Sequence, residues 1–467
     1  MPRSQTRIAA VMDRVRTQIA ARTCLPGARL PSVRQQARLC GVSVSTVVEA
    51  YERLAAENVI AARPGAGFFV CGPAAPLDLA RQSLKKEREI DPLWISRQAL
   101  EADPQLLKPG CGWLPSSWMY EDGIRRAMRT AARMDSTRLT DYASPYGHEE
   151  LRRLIARRLA RTNVQAAADQ IMLTESGTQA VDLICRFLLQ PGDYVLVDDP
   201  CYFNFHALLR AHPVNIIGVP FTPNGPDLKA FAHILQAHSP RLYITNSGLH
   251  NPTGVSLTPV AVHQLLKLAE SAGLIIVEDD IFADFETSPA PRLAAYDGLR
   301  NVIQVGSFSK TISASVRCGY IAARSDWTES LADLKIATSF GGGQLASMLV
   351  LGALTGSGYR RHMESVRLRL GIARQATLEQ LASLGITAWH TPQDGMFLWC
   401  QLPPGADAAA LSRACLKEGV VLAPGNAFSE AGTASTFLRF NVSQCNDERI
   451  FSVIKRALKN LKNARPG

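Results

Sequence analysis

The sequence predicts an α/β protein, a mostly parallel sheet with helices on both faces, preceded by a small basic helical head. Three observations lead there. Short apolar runs, "DYVLVDD", "LYITN", "GLIIVEDD" and "NVIQVGS", alternate with helical stretches such as "PVAVHQLLKLAESAG", the pattern of buried parallel strands joined by helices. A chain of 467 residues is too long for one hydrophobic core. Charge is unevenly spread: of a net +10, residues 1–72 hold ten arginines against Asp13, Glu49, Glu52 and Glu57. That excess suits contact with a polyanion, or else a solvated arginine-rich surface.

In the head, Ile8, Val11, Met12, Val15 and Ile19 recur at helical spacing and predict a helix ending near "LPGARLP", where Pro26, Gly27 and Pro31 interrupt it. Ser32 then caps a short helix, with Gln35 completing a capping box and Gly41 closing it. Ser43 caps a third helix, in which Val44, Val47, Val48, Tyr51, Leu54 and Ala55 form one apolar stripe while Ser45, Thr46, Glu49 and Arg53 face away. Two short helices across a tight glycine turn have the spacing of a helix-turn-helix, whose second helix lies in the major groove. "VIAARPGAGFFV" alternates around Pro64, Gly65 and Gly67 and predicts a two-stranded wing.

This stretch resembles the GntR-type winged helix-turn-helix, through "GARLPSVR", "VSVSTV", "AYERL" and "GAGFFV". The resemblance implies a double-stranded DNA partner. Arg34 would grip phosphate, Ser43, Ser45 and Thr46 would open the recognition helix against DNA, and Arg63 with the glycine wing would reach the neighbouring groove. Val44 stands where many relatives carry arginine; it either meets a thymine methyl or joins the core.

Residues 1–72 are therefore expected to form the DNA-binding domain, 73–95 a partly helical, solvated linker with the charged run "KKERE", and 96–467 the body. In the body, "IMLTESGTQAVDLICRFLL" reads as strand, turn and helix, so Ser176, Gly177 and Thr178 start a helix that can bind an anion. Taken singly, that turn, the acids Glu278, Asp279 and Asp280, the turn "HNPTG" and Lys310 in "SFSK" each have an ordinary structural explanation.

In order, "SGT", "DDPCYF", "HNPTG", "VEDDIF" and "SFSK", with Arg317 seven residues later, resemble the fold-type I aminotransferases over roughly residues 105 to 460. The resemblance implies pyridoxal 5′-phosphate and a fold with a large subdomain near 140–335 and a small α+β subdomain from the flanking segments. Lys310 would form the Schiff base and shuttle protons, and Asp279 would hold the ring nitrogen protonated. Tyr202 would stack on the ring and Asn251 would donate to O3′. Gly177, Thr178, Ser307, Ser309 and Arg317 would hold the phosphate, joined by Tyr142 from across a dimer interface, and Arg439 would bind an α-carboxylate. Ile281 and Phe282 replace a tyrosine that tunes the aldimine in many relatives, so its pKa should rise.

A GntR head joined to an aminotransferase-like body resembles the MocR-type regulators. It implies a head-to-tail homodimeric transcription regulator that senses an amino acid, amine or B6 vitamer through aldimine chemistry at Lys310, with weak or no transaminase turnover. The alternative is an active aminotransferase carrying an accessory DNA-binding domain. Ten scattered cysteines without a C-x-x-C pair read as free thiols, and no spacing predicts a metal. No apolar run reaches about 18 residues, and arginines run through the N-terminus, so a cytoplasmic protein without membrane contact is expected.

Overall fold

A computed structural model describes residues 7–20, 24, 27–57, 59–63, 67–71, 100, 105–135 and 139–463. The linker expected over 73–95 lies outside the described residues. Contacts divide the chain into two compact units, one holding the head and the other the central sheet.

The head is built from α1 (Arg7–Ala20), α2 (Val33–Cys40), α3 (Val44–Ala56), β1 (Ile60–Arg63) and β2 (Gly67–Val70). Ser32 Oγ accepts from Gln35 N at 3.3 Å, and Gly41 ends α2 at φ +63°, a left-handed conformation suited to glycine. β1 and β2 pair antiparallel as the wing, from Ile60–Val70 to Arg63–Gly67. Val11, Val15, Val47, Tyr51, Leu54 and Ile60 form the core, and the buried Tyr51 hydroxyl donates to Pro31 O at 3.1 Å.

The apolar stripe of α3 differs from the expected one. Val47, Ala50, Tyr51 and Leu54 are buried, whereas Val44 and Val48 remain 48% and 37% exposed. Val44 stands in the first turn, ahead of the packed segment, and Val48 lies about 100° around the helix from Val47. Both valines are surface residues.

The body centres on an eight-stranded sheet of β3 (Ile171–Thr174), β4 (Tyr194–Asp199), β5 (Asn215–Thr222), β6 (Gly225–Pro226), β7 (Leu242–Thr245), β8 (Ile275–Asp279), β9 (Val302–Ser307) and β10 (Gly319–Ala322). Its order is β3-β10-β9-β8-β7-β4-β5-β6. β4, β7, β8 and β9 run parallel and are almost wholly buried. Their carboxyl ends therefore open on one edge, where ligands of such sheets bind. β10 was not anticipated: it inserts antiparallel between β3 and β9, because residues 308–318 return the chain without a crossover helix. A Cβ on Gly319 would lie 2.8 Å from Ser176 C and 2.9 Å from Gly177 N. Glycine there lets β10 lie against the turn that starts the next helix.

A second, antiparallel sheet holds β11 (Thr387–Ala388), β12 (Phe397–Gln401), β13 (Ala423–Pro424) and β14 (Phe437–Asn441) in the order β11-β12-β14-β13. All ten cysteines are free, and Cys111, Cys185, Cys201, Cys318, Cys400, Cys415 and Cys445 are buried. Among the described residues, no helix is long and apolar enough to cross a membrane.

Candidate functional site

At the carboxyl edge of the large sheet is a cavity of about 160 Å³, lined by Ser176, Gly177, Thr178, Tyr202, Asp279, Ile281, Ser307, Ser309, Lys310 and Arg317 among others. The helix Gly177–Leu188 starts at its wall, and Ser176 Oγ accepts from Gln179 N at 3.0 Å to cap it. Opposite, Ser307 Oγ donates to Ser309 Oγ at 3.0 Å, and Arg317 Nη1 donates to Ser309 Oγ at 3.3 Å and to Ala314 O at 3.2 Å. Helix amides, two hydroxyls and a guanidinium with no carboxylate within ion-pair distance among the described residues make an anion cradle.

The three consecutive acids divide by strand alternation. Glu278 turns away and accepts from Ser247 Oγ, from Leu293 N at 2.6 Å and from Ala294 N at 2.9 Å. Asp280 accepts from Arg292 Nε at 2.9 Å and from Gln304 Nε2 at 2.9 Å. Only Asp279 faces the cavity, with Ile281 N donating to its Oδ1 at 3.2 Å. Burial pushes its pKa up to about 7, so a cation placed beside it would restore the carboxylate. All three acids are buried and none is a solvated strand end.

Lys310 Nζ donates to Gly112 O at 2.7 Å. Burial, then repulsion from Arg439, brings its pKa down to about 8, which raises the share of the free, nucleophilic amine. Arg439, on β14, is 1% exposed and caged by the rings of Phe397, Phe428 and Phe203 at 4.3, 4.9 and 5.6 Å. Its Nη1 donates to Asn251 Oδ1 and its Nη2 to Gly110 O, both at 2.8 Å, and its Nε is unpartnered. No carboxylate lies within ion-pair distance of it among the described residues. Burial lowers its pKa to about 10, the mark of a buried cation that lacks its counter-ion.

Lys310 and Arg439 converge on one small residue: a Cβ on Gly112 would lie 3.8 Å from Lys310 Nζ and 3.7 Å from Arg439 Nη2. Asn441 fixes that loop by donating to Cys111 O at 3.1 Å and to Trp113 O at 2.8 Å. The loop Gly110–Gly112 and Asn441 were missed from sequence; the glycines of "KPGCGW" were the available signal. Also missed was the support for "HNPTG". His250 Nδ1 lies 2.7 Å from Thr253 Oγ1, its Nε2 lies 3.3 Å from Asp198 Oδ2, and its ring stacks on Phe221 at 3.8 Å.

Residues 118–456 match the family described as aminotransferase class I and II, and residues 7–70 match bacterial regulatory proteins of the gntR family. The chain belongs to the aminotransferase class I and II family. Fused to a GntR head, its domain has the arrangement of MocR-type regulators. It is similar to the uncharacterized HTH-type transcriptional regulator YdcR of Escherichia coli (strain K12), 28% identical over 95% of this chain and 96% of that one. The HTH-type transcriptional regulator NorG of Staphylococcus aureus (strain USA300) is 28% identical over 85% of this chain and 92% of its own length. Among solved structures, LysN, the α-aminoadipate aminotransferase of Thermus thermophilus complexed with N-(5′-phosphopyridoxyl)-L-leucine, aligns with a TM-score of 0.71 at 27% identity. That alignment covers 79% of this chain and 96% of LysN. The kynurenine aminotransferase of Pyrococcus horikoshii shares the fold, with a TM-score of 0.73 at 24% identity over 84% of this chain and 99% of that one. The fold family typically carries pyridoxal phosphate.

Three of the family positions, Asn251, Arg439 and Tyr142, lie outside the cavity lining. Asn251 sits against Arg439, and Tyr142 is 82% exposed with its ring 4.9 Å from that of Phe340. Ile281 lines the cavity, while Phe282 is buried against Phe397 at 5.4 Å, so no phenol follows Asp279. In the GntR head, Arg34 is exposed on α2. Ser43 Oγ, at the start of α3, lies 2.9 Å from Ser45 Oγ and 2.7 Å from Thr46 Oγ1. Arg63 ends β1, opposite Gly67; its side chain lies outside the described part of the structure.

Proposed function

We propose that the protein is a DNA-binding transcriptional regulator that holds pyridoxal 5′-phosphate at Lys310 and senses an amino acid, amine or B6 vitamer there. The observation that carries this is the pair of cations, the half-buried Lys310 and the buried Arg439, meeting at Gly112 beside the Asp279 cavity in a chain with a GntR head.

The residues present fit the cofactor. Gly177, Thr178, Ser307, Ser309 and Arg317 offer a dianion its donors, Tyr202 offers a flat face, and Asp279 offers a carboxylate to the ring nitrogen. When bound, the cofactor supplies an aldehyde that condenses with amines and a ring that withdraws electrons. Lys310 supplies the attaching amine and afterwards a base at the neighbouring carbon. Asn251 holds Arg439 through Oδ1 and offers Nδ2 to the ring hydroxyl, while Arg439 takes the effector's carboxylate. Tyr142, exposed in one protomer, completes the phosphate site of its partner in a head-to-tail homodimer. Operator DNA in the cytoplasm is bound by Arg34, Ser43, Ser45, Thr46 and Arg63.

An aminotransferase with an accessory head is favoured by the intact set of Lys310, Asp279, Asn251 and Arg439, and disfavoured by Ile281. One experiment separates the two: titration with amino acids and amines, followed by visible absorbance, with and without promoter DNA. An effector is expected to change DNA affinity by about 5- to 150-fold, and DNA to change effector affinity by the same factor. Spectral changes with unchanged DNA affinity, together with amino-group transfer above about 1 per second, would favour the enzyme.

Lys310 attacks only as the free amine, and its pKa is about 8. Capture of pyridoxal phosphate by the cofactor-free protein is therefore expected to quicken about tenfold per pH unit below that value and to level off above it. Stopped-flow absorbance measures this. A rate still climbing toward the ordinary lysine value of 10.5 would contradict it.

A further inference from the structure

We infer that the protein reads thymine 5-methyl groups in its operator through Val44 and Val48. The inference rests on the DNA-binding part of the proposed function and names the base chemistry that the recognition helix selects.

Val44 and Val48 are 48% and 37% exposed on α3, and their i, i+4 spacing puts them side by side on one face. The polar groups around them are occupied. Ser43, Ser45 and Thr46 share their hydroxyls within the helix cap, where Thr46 N also donates to Ser43 Oγ at 3.2 Å. In the next turn Glu49 pairs with Arg53 at 2.5 Å, which neutralises that acid, and the exposed Glu52 follows Val48 one turn further along the helix. Residues 44–52 contain no Arg, Lys, Asn or Gln. This part of the helix therefore cannot form the bidentate contacts that select guanine or adenine.

The occupant of this face is fixed by charge. Arg34 and Arg38 are exposed on α2, and ten arginines against four acids in residues 1–72 complement a polyanion. Within the major groove the apolar feature on a base edge is the thymine methyl. Four helical residues rise about 6 Å, close to two base-pair steps. The two contacted thymines thus lie within about two steps of one another.

The test uses the full-length, cofactor-loaded protein to select its best duplex from a random library, then replaces each thymine of that duplex with uracil, removing only the methyl. At two positions within two steps, uracil is expected to weaken binding about fourfold each, the value of one buried methyl. Val44→Ala and Val48→Ala, which shorten the side chain, should each reduce the sensitivity at one of them; alanine favours the helix, so the fold is kept. Arg34→Ala, by contrast, should weaken all sequences alike and lower the salt slope by about one. Indifference to uracil at every position, or sensitivity unchanged in both valine variants, would overturn the inference while Arg34-dependent binding still upheld the DNA reading. Absence of salt-dependent DNA binding would overturn both.

Discussion

Lys310→Ala is expected to abolish covalent retention of pyridoxal phosphate while leaving nonspecific DNA affinity intact. Acidity alone does not single out this lysine, since burial brings both Lys310 and Lys335 down to a pKa of about 8. Geometry separates them. Lys335 Nζ is held by two carbonyls, Pro145 O at 2.8 Å and Leu173 O at 2.9 Å, beside a space of only about 30 Å³. Lys310 donates to a single carbonyl and borders the larger cavity, with Asp279 and Tyr202 in the same lining. Borohydride reduction and peptide mapping should place the adduct on Lys310 in the parent and in Lys335→Ala, and find none in Lys310→Ala. An adduct that survives Lys310→Ala would sink the assignment.

The same substitution has a stability signature. A lysine whose folded pKa lies near 8, against 10.5 normally, binds fewer protons in the folded than in the unfolded chain across that window. Its own contribution to folding stability therefore rises with pH between those values, against the opposite slope of buried thiols such as Cys185 and Cys318, whose pKa values burial raises. The cofactor-free parent should therefore gain stability relative to Lys310→Ala as pH rises across that window.

Strands β4, β7, β8 and β9 were legible because a strand buried on both faces must be apolar throughout, and each is bounded by helical periodicity. β10 was not, because "GYIA" opens on a glycine and follows β9 with no helix between them to bound it. Its place depends on the close approach that Gly319 allows to Gly177. The cavity residues were legible through the order of their motifs, since each stands at a strand end or a helix start. The loop Gly110–Gly112 was missed for the opposite reason. The glycines of "KPGCGW" mark a turn, but the loop meets Arg439 across 329 residues of chain, and a local signal does not name so distant a partner. Val44 and Val48 mislead for a third reason: periodicity shows that a valine lies near an apolar face, not whether anything packs there.

At Arg439 the second large effect is expected. Arg439→Met keeps the bulk inside the cage of Phe203, Phe397 and Phe428 but removes the buried charge. A carboxylate bound there would lose a desolvated, hydrogen-bonded partner, worth about 2–5 kcal/mol. Amino acids should then bind the cofactor-loaded protein at least about 30-fold more weakly on that scale, as read by spectral titration. The matching amines, which have no carboxylate, should bind as before. A purely structural role would weaken both classes together, and that result would remove Arg439 from the effector site. The pH profile supplies an independent reading. Repulsion from Arg439 is the second cause, after burial, of the low Lys310 pKa. Without the guanidinium, Lys310 should titrate higher, and the plateau in the rate of cofactor capture should move upward in pH. An unmoved plateau would mean that the two cations, although both close to Gly112, do not act on one another.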